Sequence, residues 1–147
     1  MTTLLTWLIR YGHVLSGGVW VGGYALLALV VVPLMATGTN EVLNRLAITA
    51  VRILTYAGTL TIAFGIVLIT RTRGVRSLLH GEWGMIVITC LVIAIGLLGL
   101  GDGALRPALR RLAATGDGRA ARRFAWIGFG LTIVAVGLMT RALYARS

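Results

Sequence analysis

Four stretches of this chain, residues 11–40, 53–70, 83–101 and 124–140, contain no Asp, Glu, Lys or Arg, and they run for 30, 18, 19 and 17 residues. A helix that crosses a bilayer needs about 20 mainly apolar residues, because every backbone N–H and C=O must find its partner inside the segment once water is gone. The runs therefore predict an all-α polytopic membrane protein: a four-helix transmembrane bundle running up-down-up-down, with spans near 8–33, 50–71, 80–101 and 123–142. The longest connection between runs, 102–123, has 22 residues, too few to build a second core. One domain, 1–147, is expected.

Composition points the same way, with 58% hydrophobic residues, mean hydropathy +0.92 and only 12% charged residues. The net charge of +10 comes from 14 positive residues, all arginine and all in loops or at span ends. There they face lipid phosphates, so nucleic acid is not an expected partner and the lipid bilayer is. Arg10, Arg71, Arg73, Arg76, Arg141 and Arg146 lie on the side of the termini, and eight arginines lie on the other. The positive-inside rule then puts the termini outside the cytoplasm. The apolar stretch Val14 to Ala36 exceeds the core of a secretory signal, so it is expected to stay as a spanning helix.

Local signals divide the chain further. Thr39 and Asn40 read as a helix N-cap with Glu41 in the first turn. Gly74 sits in a tight turn, Arg71 to Arg76, joining the second and third spans. Gly101, Asp102, Gly103 and Pro107 are expected to break the third helix, leaving Leu105 to Ala113 as an amphipathic helix at the membrane interface. A faint repeat also shows: Leu60-Thr61-Ile62 returns as Leu131-Thr132-Ile133, and His13 with Gly17 returns as His80 with Gly84, which hints at two related hairpins. Gly18 and Gly22 form a GxxxG pair suited to close helix packing, in a tight bundle, a homodimer or a larger membrane complex.

Few side chains in the spans carry chemistry. His13, His80, Met85 and Met139 all fall within roughly two helical turns of one membrane face, judged by the rise per residue. His13, Gly17, Trp20 and Tyr24 share one face of the first helix, and a glycine one turn beyond a histidine leaves room for a flat macrocycle. Arg10 and Arg73 lie close enough to pair with propionates. A haem b site is one reading, with His13 as axial ligand, Met139, Met85 or His80 as the second, and Gly17, Trp20, Arg10 and Arg73 around it. Copper(I) on His13, Met85 and Met139 is another. The bland alternatives stay open: a histidine near a span end bonded to a carbonyl or water, and methionines that simply pack. The lone Cys90 excludes a disulfide framework. The four acids, Glu41, Glu82, Asp102 and Asp117, sit in loops or at helix ends, so no catalytic residue is assigned.

The pattern Arg10-Tyr11-x-His13, then Trp20-x-Gly22-Gly23 and Pro33, resembles the first helix of the copper-resistance D-type membrane proteins and related small bacterial membrane proteins. Arg45 and Arg52, Gly65, Trp83 and Pro107 continue the likeness over most of the chain. The His-to-Trp spacing of the first helix also resembles the four-helix membrane protoporphyrinogen oxidases, a family associated with haem b. These resemblances imply a bacterial inner-membrane location and a role in electron transfer or redox partnering, with copper handling as the alternative. A cofactor-free structural or assembly subunit is the third expectation.

Overall fold

The computed structural model describes residues 2–38 and 40–145, without the side chain of Thr2. Thr39 and Arg146, used in the sequence reading, lie outside the described residues. Helix accounts for 92% of the chain and the described residues form no strand. Four helical rods are long and apolar enough to cross a membrane, residues 3–37, 41–72, 81–115 and 119–142.

The first rod comprises α1 (Thr2–Leu26), a π-helical segment (Leu27–Val31) and α2 (Val32–Thr37). Asn40 then caps α3 (Glu41–Thr72), its Oδ1 accepting from the Leu43 N–H at 2.7 Å. This matches the sequence signal and supplies one of the amide donors that a helix start leaves unpaired. Gly74, at φ +76, turns the chain into a 3₁₀ segment (Val75–Leu79). The third rod comprises α4 (Gly81–Gly99), a second π segment (Leu100–Leu105) and α5 (Arg106–Thr115). A left-handed Gly116 leads into α6 (Arg119–Ala142).

The expected break at residues 101–107 does not occur. A proline inside a helix lacks the N–H and pushes on the carbonyl four residues back. At Pro33 and at Pro107 that carbonyl, of Leu29 and of Gly103, lies within a π segment, whose wider turn accommodates the ring. Both rods thus continue past their prolines. The apolar face of α5 is also not laid on a membrane surface: Leu105, Leu109 and Leu112 are fully buried against the other helices.

A π segment followed by proline occurs in both the first and the third rod. The histidines do not share its register. His13 lies 20 residues before Pro33, and His80 lies 27 before Pro107.

Packing differs between the two ends. Toward the 38–40 and 116–118 turns all four rods share one core built from Tyr24, Leu27, Val31, Met35, Val51, Leu54, Leu97, Leu109, Ala121 and Ala125. Tyr24 lies against Gly128, where any side chain would overlap its ring, and donates to the Leu97 carbonyl at 2.7 Å. Trp20 packs into the space left by Gly58, beside Leu98. Beyond that level the common core stops. Ser16 is the one buried residue in 3–19, and 59–72 has none. At that end α4 and α6 keep a separate cluster of Ile86, Cys90, Ala142 and Ala145, closed by the Glu82–Arg141 ion pair at 2.8 Å.

Candidate functional site

His13 sits where α1 crosses α3 at the less tightly packed end. Its half-buried ring places Nδ1 2.8 Å from the carbonyl oxygen of Thr61. A carbonyl can only accept, so Nδ1 carries a proton, and of the two neutral tautomers this bond selects the one whose lone pair is on Nε2. Nε2 has no hydrogen bond among the described residues. The ring is further confined by Gly65, where a Cβ would stand 3.1 Å from Cε1. Beside it, the Thr61 hydroxyl lies 3.0 Å from that of Ser16, which donates to the Gly12 carbonyl at 2.7 Å. The Thr61 carbonyl, inside α3, faces His13 Nδ1, and the Thr61 and Ser16 hydroxyls find partners at the same crossing.

The other residues singled out by the sequence take separate places. Gly17 faces Thr61, whose methyl would lie 3.7 Å from a Cβ at that position, and Trp20 is part of the common core. Met139 lies at the depth of His13: each is 11 residues from the Tyr24–Gly128 contact, about 16 Å along a helix. Met139 nevertheless packs in the α4–α6 cluster with Trp83 and Leu138. Met85 is 69% exposed. His80 is exposed just before α4, its Nδ1 3.1 Å from the Arg76 carbonyl. Arg10 is exposed beside Trp7, and Arg73 holds its guanidinium 5.0 Å from the centre of the Trp83 ring.

Gly84, expected to repeat the role of Gly17, is closed off by the backbone of Ser77 and Leu78, which pack directly onto it. The described residues contain no group of three or more His, Cys, Asp or Glu side chains disposed to hold a metal. Both histidines hold Nδ1 against a carbonyl, but His13 does so at a helix crossing, half-buried, whereas His80 is exposed just before α4. A second protein ligand would have to come from outside this hairpin.

A second polar group was not visible in the sequence. Asp102, inside the second π segment, accepts from the Thr55 hydroxyl at 2.8 Å and pairs with Arg106 at 2.7 Å. Gly-Asp-Gly followed by proline reads as a loop, so the carboxylate was assigned to a helix end. The helix runs through it instead, and the π segment turns Asp102 toward α3. Arg106 Nε is buried without a partner among the described residues.

Comparison with protein-family models, with curated proteins and with solved structures gives no match. The class that the structure itself defines is an all-helical chain with four helices able to span a membrane.

Proposed function

We propose that the chain is a multi-pass protein of a bacterial inner membrane, of the copper-resistance D type. Its helices run up-down-up-down with the termini outside the cytoplasm, and it serves electron transfer or redox partnering. In this reading His13 is one axial ligand of haem b near one membrane face. The observation that carries it is the Nδ1–Thr61 carbonyl hydrogen bond. Metal-ligating histidines characteristically donate their other ring N–H to a carbonyl or carboxylate, which fixes the tautomer and aims the ligating nitrogen. The bound haem would supply a one-electron iron couple; the chain supplies the imidazole, its orientation and an apolar surround. Met139 and His80 belong to other contacts, so a second residue holding the haem would come from a second copy of the chain.

A cofactor-free structural or assembly subunit is the second reading, favoured by Gly18 and Gly22. Both face outward with nothing within 4 Å of a Cβ placed there, so the GxxxG face is not used inside the chain. A homodimer or a larger membrane complex would use it. Copper handling would call on His13, Met85 and Met139, which here occupy separate surroundings.

The test is the visible spectrum of the detergent-purified protein, oxidised and then dithionite-reduced, with total iron and copper. A Soret band with sharp α and β bands on reduction, lost in His13→Ala while the variant still fractionates with membranes, is the expected result. A featureless spectrum after expression with ample haem would overturn the haem reading. Stoichiometric copper would then favour copper handling, and no metal the assembly subunit.

A further inference from the structure

At the tightly packed end a groove of about 450 Å³ runs between the first rod and the start of α6. One wall is apolar, with Leu29, Pro33 and Ala36 beside the first π segment. The other carries Arg119, Arg122 and Trp126. The groove thus sets an apolar wall across from a cationic one, the two surfaces a phospholipid presents at its headgroup–chain junction.

The order of these groups along the axis is also that of a membrane interface. Arg122 precedes Trp126 by one helical turn, about 6 Å. Trp126 is 46% exposed, and an exposed indole at a span end marks the headgroup boundary. Arg122 lies on the loop side of that mark, where phosphates are found. Its guanidinium has no hydrogen bond or ion pair among the described residues. Arg119 is shared with Asp117, its Nε 3.1 Å from Oδ1, so it is held near the rim.

We infer that this groove binds one anionic phospholipid, its phosphate on Arg122 and Arg119 beside Pro33 and one acyl chain leaving it along Leu29 and Trp126. Charge complementarity selects an anionic lipid over a zwitterionic one, because Arg122 beside the Arg119–Asp117 pair leaves the rim one net positive charge, and a zwitterionic headgroup would bring its own cation to it. The inference rests on the reading that the chain spans a bilayer. Membrane fractionation tests that reading independently: a chain recovered without membranes fails there, before any lipid is measured.

The experiment is native mass spectrometry of the intact protein in mild detergent, titrated with phosphatidylglycerol or phosphatidylcholine. One phosphatidylglycerol is expected to remain bound under activation that strips phosphatidylcholine. Arg122→Gln should weaken phosphatidylglycerol binding about five-fold, the scale of one cation near a lipid surface. Arg110→Gln, which removes the same charge from the exposed side of α5 away from the groove, should leave it unchanged. Leu29→Ala shortens the apolar wall without touching a charge, and should weaken binding as well. Equal retention of both lipids, or equal effects of Arg122→Gln and Arg110→Gln, would overturn the inference.

Discussion

His13 and Thr61 are 48 positions apart in the chain, yet the imidazole Nδ1 lies 2.8 Å from the Thr61 carbonyl oxygen. This bond joins α1 to α3 and dictates which ring nitrogen is left with a lone pair. In ¹⁵N-detected NMR of the cofactor-free protein at pH 8, His13 is expected as the Nδ1–H tautomer. An Nε2–H tautomer would remove the argument that the ring is set up as a ligand.

Gly65→Ala tests the same ring from the opposite helix. A methyl group there stands 3.1 Å from Cε1 of His13, so the imidazole must shift by a few tenths of an ångström. The expected outcome is a displaced Soret maximum or reduced haem retention, with a loss of stability of about 1 kcal/mol. Unchanged spectrum and affinity would mean that the ring is free to relax.

Asp102 ties the second π segment to α3 through Thr55 and to its own helix through Arg106. Asp102→Ala leaves Arg106 without its ion pair and Thr55 with only the Val51 carbonyl, and is expected to cost about 1–2 kcal/mol, the pair being partly exposed. Thermal unfolding in detergent should place Asp102→Asn between wild type and alanine, since the amide can still accept from Thr55.

Gly128 and Gly18 are both glycines in spans, with opposite expectations. Gly128→Leu must displace the Tyr24 ring from the shared core and should destabilise by about 1–3 kcal/mol or more. Gly18→Leu points into open space and should leave the monomer's unfolding temperature unchanged or slightly raised. If Gly18 serves a homodimer, the same variant shifts the sedimentation profile to monomer.

Asp117, in the turn before α6, accepts from the Arg119 side chain and backbone, and the Arg119 hydrogen bond holds its carboxyl below the ordinary aspartate range. The stability this contributes is present above the ordinary carboxylate pKa and is lost as pH falls through the lower folded value. A carbon-detected titration should show the Asp117 midpoint rising toward the ordinary range in Arg119→Gln. An unmoved midpoint would assign the shift to another neighbour.

The four rods, the Asn40 cap and the Gly74 turn were all legible in the sequence, because each rests on local chemistry: backbone hydrogen bonds without water, an orphan amide, a positive φ. The face carrying His13, Gly17, Trp20 and Tyr24 was legible as a face, but the sequence could not separate a ligand surround from helix packing. Trp20 and Tyr24 belong to the packing. The π segments were hidden because Gly101, Gly103 and Pro107 carry the same signal whether a helix stops or widens its turn. Where the common core ends was also hidden. An apolar side chain such as Leu60 or Val92 has the same composition whether it meets lipid or a neighbouring helix, and both are exposed here.

The change in packing at Trp20 and Gly58 acts as a fulcrum. On one side of it, separating the two hairpins would uncover the Tyr24, Leu109 and Ala125 core all at once. On the other, each hairpin is closed by its own contacts, His13 with Thr61 in one and Glu82 with Arg141 in the other. A molecule entering between the hairpins at the depth of His13 therefore meets no four-helix core to disrupt.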